Sequence, residues 1–188
     1  IIVFGLVEES KQERIYKNNF FPEGLYDRER IETDIMPFMI TGNMFFEFHI
    51  LPNLVCKCIR KQWYEQCVIN FSNNVRYGED ASISYQLIPQ AERISIMDFI
   101  PYHYIRHGES MVTSFVNRQE IATLENDLKK TFEKLGIYAA LQDQLNRYMS
   151  FVWIVKCPEE VVDFTDLKDR KVVLYGAGGV GQSVKRVI

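Results

Sequence analysis

The chain of 188 residues lacks an excess of positive charge, a long apolar run and a cysteine framework. Its 22 Lys and Arg against 25 Asp and Glu give a formal net charge of −3, so it offers no basic field for nucleic acid. No uninterrupted apolar stretch reaches the roughly 18 residues that a membrane-crossing helix needs. No secretory leader is visible, because Ile1 opens directly into an apolar strand-like run. Of the four cysteines, Cys56 and Cys58 stand too close for a zinc knuckle, and the set reads as reduced, mostly buried thiols of a cytoplasmic protein. His49, His103 and His107 share no ligand spacing on one element and read as packing or surface residues.

What the chain does have is globular composition, 47% hydrophobic and 25% charged, enough for one sizeable core and a small extra piece. It opens on Ile1 rather than Met and stops seven residues after Gly181, so it is expected to be a piece of a longer protein. The fold class expected is α/β or α+β. Residues 1–6 read as one buried strand, 8–19 as polar and irregular, and 24–36 as a helix that Pro37 ends. Residues 54–60 read as a strand and 62–68 as a short helix. A helix is expected over 78–88, strands over 93–97 and 102–106, and two helices over 117–135 and 137–155 that meet at Gly136. A charged linker at 159–170 leads to a strand at 171–175. The domain division expected is 1–116, a helical hairpin at 117–157, and a linker with a βα stub at 158–188.

Arg76-Tyr77-Gly78-Glu79-Asp80-Ala81 carries the strongest chemical signal. Orphan N–H groups and the helix dipole favour ionised carboxylates in a first turn, so Glu79 and Asp80 read first as caps. The functional reading is a general base at the mouth of a cleft, taking a proton from an attacking hydroxyl. Gly78 lets the backbone approach a ligand closely, or serves only the turn. On an extended strand Tyr102, Tyr104 and Arg106 share one face, and His103, Ile105 and His107 the other. Cross-strand packing explains the tyrosines, whereas a planar guanidinium suits a diphosphate or a carboxylate. Gly176-Ala177-Gly178-Gly179-Val180-Gly181 is a full G-x-G-x-x-G, read as the start of a Rossmann-like unit whose Gly176, Gly178 and Gly181 would cradle a dinucleotide in a longer sheet. As given, the run also reads as a glycine-rich tail with no ligand.

The glycine-acid-acid motif, with Tyr85 on the same helix, Ala91, and Pro101-Tyr102-His103-Tyr104 leading to Arg106 and Ser110, resembles the acceptor-side half of family-2 glycosyltransferases of the GT-A fold. Residues 54–60 resemble that family's strand carrying Asn-Lys, an aromatic and Arg. Lys57 and Arg60 take the Lys and Arg places, and Cys56 and Ile59 replace the Asn and the aromatic. The resemblance covers about residues 1–115. It implies inverting transfer of a sugar from a nucleotide-sugar donor to a glycan or lipid-linked acceptor, in bacterial envelope or polysaccharide assembly. Asp80 would be the base, Glu79 its neighbour, and Arg106, Tyr104, Lys57, Arg60 and Gly78 the substrate contacts. The family holds the donor through an Asp-x-Asp motif and a divalent metal, Mn or Mg, in a nucleotide-binding half. No Asp-x-Asp occurs here, so this chain alone is expected to be inactive, with no metal of its own. A reading of another class is a non-enzymatic binding or assembly module, or part of a nucleotide-binding protein. The apolar stripe of 117–155 (Phe132, Leu135, Leu141, Leu145, Tyr148, Met149, Val152, Trp153) is either core or a homo-oligomer contact.

Overall fold

The computed structural model describes residues 1–42, 47–69, 75–106, 116–163, 165, 171–174 and 178–185, with the side chains of 67–69 outside the description. Of the positions singled out in the sequence, His107, Ser110, Gly176 and half of the 159–170 linker lie outside it. The fold is mixed α/β, with two small mixed sheets and six helices among the described residues.

The expected strand at 1–6 is two strands in two sheets. β1 (Ile2–Val3) and β2 (Leu6–Glu9) are divided at Phe4 and Gly5. A Cβ on Gly5 would collide with Asn18 Oδ1 and Lys17 O, so only glycine fits the crossing. The polar stretch after β2, expected to be irregular, supplies β3 (Arg14–Lys17), joined to β2 by a turn closed at Ser10 and Glu13. β4 (Gly24–Asp27) precedes the first helical turn, so the helix expected from Gly24 starts late. Asp27 Oδ1 accepts from Arg30 N and starts α1 (Arg28–Arg30). The path continues as a π-helical turn (Ile31–Ile35) and a 3₁₀ turn (Met36–Phe38) that contains Pro37.

The strand expected at 54–60 shrinks to β5 (Lys57–Cys58), preceded by a 3₁₀ turn (Leu54–Cys56). α2 (Lys61–Ile69), α3 (Glu79–Leu87), β6 (Arg93–Ile96) and β7 (Tyr102–Ile105) follow near their expected places. α4 (Arg118–Lys134) begins with a complete capping box between Asn117 and Glu120. Gly136, at φ 70°, ends it and turns the chain into α5 (Tyr138–Lys156).

The larger sheet has the order β4-β6-β1-β5, with β1 and β6 parallel. The smaller has the order β3-β2-β7, with β2 and β7 parallel. The two parallel pairs form one interrupted ladder: Ile2 lies opposite Ser95 and Leu6 opposite Tyr102. The second segment carries three more residues than the first between these pairings, and they are absorbed ahead of β7, around Pro101. Proline lacks the N–H that would continue the ladder.

One core joins Val3 and Ile94 of the sheet to Tyr85 and Ile88, Leu124 and Leu128 of α4, and Leu145 and Met149 of α5. Residues 117–157 therefore share their interior with residues 1–116. The apolar stripe of α4 and α5 is core: Phe132, Leu141, Leu145, Tyr148, Met149 and Val152 are buried within the chain. Buried Gln144 ties α5 to the 36–40 turn, accepting from Ile40 N at 2.8 Å and donating to Met36 O at 2.9 Å.

In the smaller sheet, adjacent carboxylates point to opposite faces. Glu8 pairs with Lys17 and with Arg106 Nη2 at 2.6 Å. Glu9 pairs with Arg14 and sits 3.0 Å from His103 Nδ1. The His103 hydrogen bond first, and then the Arg14 charge, hold the Glu9 carboxyl below its usual pKa. A depressed carboxyl pKa contributes stability that is present above the unfolded value and lost as pH falls through the folded one. Glu9→Gln should therefore flatten the loss of stability below about pH 4.5, measured by urea unfolding across an acid pH series.

Candidate functional site

The carboxyl edge of the β1–β6 pair brings two of the expected site residues, Lys57 and Asp80, to one loop, residues 50–53. All four of its carbonyls are held by side chains. Tyr85 OH donates to Ile50 O at 3.2 Å and Ser84 Oγ to Pro52 O at 2.6 Å, both from α3. Lys57 Nζ, on β5, donates to Leu51 O at 2.5 Å and to Asn53 O at 2.9 Å. Asn19 closes the far side, accepting from Leu51 N at 3.1 Å and donating to Phe4 O at 3.0 Å. A loop so restrained is a rigid wall, since every local motion breaks bonds in a low-dielectric setting.

Asp80 stands half-buried in the first turn of α3, one turn before Ser84. Its negative charge reaches Lys57, Cys56 and Tyr148. Burial lowers the Lys57 pKa to about 8, while the Cys56 and Asp80 charges oppose that fall. Burial raises the Cys56 thiol to about 11, which makes it a poor nucleophile, and Asp80 pushes it the same way. Glu79 is also half-buried, but its charge acts on Tyr77, which is raised to about 12, first by burial. The two carboxylates thus address different surroundings, as neighbours about 100° apart on a helix must. Gly78, the residue before α3, has φ 74°, and a Cβ there would lie 2.5 Å from Leu124 Cδ2. Both the backbone angle and the packing of α4 demand glycine.

An open cavity of about 180 Å³ lies at the same edge, lined by Asn18, Asn19, Glu23, Met97 and Asp98 among others. Asn19 links it to the restrained loop. In open α/β sheets, ligands favour the crevice at the carboxyl ends of the strands.

Other expected residues lie elsewhere. Tyr104 packs against the Phe4–Leu6 cluster. Arg106, the residue after β7, is engaged by Glu8 and, at 3.5 Å, by Glu13. Arg60 stands at the amino edge of β1, opposite the Lys57 edge. Gly178 precedes α6 (Gly179–Val184) and Gly181 lies inside it. Gly178 has φ −69° and open space at its Cβ, so neither backbone nor packing requires glycine there. α6 docks on α5, with Ser183 Oγ donating to Val155 O at 2.6 Å. Residues 171–174, expected to be a strand, form none, and Val173 is 91% exposed.

Sequence reasoning missed Ser84 and Asn19, whose roles depend on carbonyls that the 50–53 loop brings to them. Among the described residues, no group of three or more His, Cys, Asp and Glu could hold a metal ion. Nor is any helix among them long and apolar enough to cross a membrane. No family model, no curated protein and no solved structure matches the chain.

Proposed function

We propose that residues 1–116 carry the acceptor side of an inverting glycosyltransferase, with Asp80 as the base that deprotonates the acceptor hydroxyl. The observation that supports this most is the position of Asp80: half-buried, in the first turn of α3, beside the restrained 50–53 loop at the carboxyl edge of the sheet. Its Oδ atoms would accept the proton as the hydroxyl oxygen bonds to the sugar carbon and the nucleoside diphosphate leaves. Lys57 and the loop would fix the base rather than bind the donor. The cavity beside Asn19 and Asp98 offers the polar groups a sugar needs. The donor half, with its Asp-x-Asp and divalent metal, would belong to a longer polypeptide containing these residues. The test is release of nucleoside diphosphate from nucleotide sugars by such a polypeptide, with Asp80→Asn and Glu79→Gln compared against wild type.

A further inference from the structure

At the opposite edge of the larger sheet, an open cleft of about 420 Å³ lies between the first turn of α2 and the approach to β6. Arg60, Gln62 and Trp63 line one side, and Gln90, Glu92 and Arg93 the other, with Ile1 between them. Among the described residues, neither the Arg60 nor the Arg93 guanidinium has an ion-pair or hydrogen-bond partner. This contrasts with Arg14, Arg28, Arg30, Arg106 and Arg118, which all pair with carboxylates. Two guanidiniums and one carboxylate are the charged groups of its lining, so the cleft is net positive.

We propose that this cleft binds a phosphate monoester attached to a flat ring, with Arg60 and Arg93 on the phosphate and Trp63 against the ring. The charges select the group. Two guanidiniums against the single carboxylate of Glu92 favour a dianion over a monoanion, and a phosphate monoester carries close to two charges at neutral pH. The guanidinium fork matches phosphate oxygens. The nine-residue α2 turns its amino end and its dipole toward the same cleft. Trp63, half-buried against Ile83 and Leu87, lines the cleft with an aromatic ring, and the glutamines supply donors and acceptors for the rim of a ligand's ring. The site lies across the sheet from Asp80 and does not depend on glycosyl transfer.

The test is titration of the 188-residue chain with uridine 5′-monophosphate, inorganic phosphate and uridine, read by calorimetry. Saturable binding of the monophosphate is expected, weakened about tenfold or more in the Arg60→Gln/Arg93→Gln double variant, a loss on the scale of charge-assisted hydrogen bonds. Inorganic phosphate should bind through the same arginines but more weakly than the monophosphate, and uridine should bind least. Asp80→Asn should leave the affinity unchanged. The proposal is overturned if the double variant binds as tightly as wild type, if uridine matches the monophosphate, if inorganic phosphate matches it and Trp63 therefore adds nothing, if no binding saturates at millimolar ligand, or if the affinity falls in Asp80→Asn instead. Both arginines are exposed, so the double variant should fold, and an unchanged thermal unfolding profile verifies this.

Discussion

Lys57→Ala is expected to remove about 3–5 kcal/mol of stability, the range of large-to-small changes in a packed interior with a polar penalty added. The side chain is fully enclosed apart from a trace, and its amine bonds two carbonyls of the 50–53 loop. Truncation leaves Leu51 O and Asn53 O without these donors and empties the space of the stem. Lys57→Met separates the two losses, because it keeps the volume and removes only the amine. It should cost less, since it also removes the burden of enclosing a cation.

The methionine variant also isolates a pH trend. The Lys57 pKa falls from 10.5 to about 8 on folding. Below about pH 8 both folded and unfolded chains hold this proton, and above 10.5 both have released it. In between, the unfolded chain binds a proton that the folded chain does not, so stability rises with pH, by on the order of 1 kcal/mol per unit. Tyr85 and Tyr148, whose pKa values burial raises, act in the opposite direction at the top of this window. The wild-type-minus-Met difference between pH 8 and 9.5, from denaturant unfolding, should therefore change with pH in favour of wild type. A constant difference would mean that the amine does not titrate in this range.

Gly78→Ala should be nearly as damaging, at about 2–4 kcal/mol. Left-handed backbone costs a non-glycine residue roughly 1–2 kcal/mol. The new methyl would also lie 2.5 Å from Leu124 Cδ2, and Leu124 is fully buried, so it must be displaced against the core at a further 1–3 kcal/mol, the usual range for overpacking. Gly78→Asn tolerates the angle better but still places a Cβ against Leu124, so it should recover only part of the loss. Stability of Gly78→Ala within about 0.5 kcal/mol of wild type would show that α3 starts differently from the geometry described, because typical surface changes stay inside that band.

The helices were legible where local chemistry fixes their ends. Asn117, Gly136, and Gly78 ahead of two acids each mark a boundary without reference to the rest of the chain. The β2–β3 hairpin was not legible, because Glu8, Glu9, Arg14 and Lys17 resemble a solvated loop until their cross-strand pairing is known. The break at Phe4–Gly5 was hidden for a similar reason: it is set by Asn18, Lys17 and Ile100, all distant in sequence. At the candidate site, Asp80 and Gly78 stood out from their position at a helix start. The partners of Lys57 did not, since they are backbone carbonyls that any residue type provides. Arg106 looked like a phosphate ligand by its residue type, and only the fold shows it between Glu8 and Glu13.

The most direct measurement is the rate of nucleoside diphosphate release by a polypeptide that joins these residues to a donor half, compared between wild type, Asp80→Asn and Glu79→Gln. Removing a general base should slow turnover by about 100-fold or more in Asp80→Asn, with Glu79→Gln much less affected because its charge addresses Tyr77 rather than the loop edge. Turnover in Asp80→Asn equal to wild type, in protein that unfolds at the same temperature, would contradict the assignment of the base.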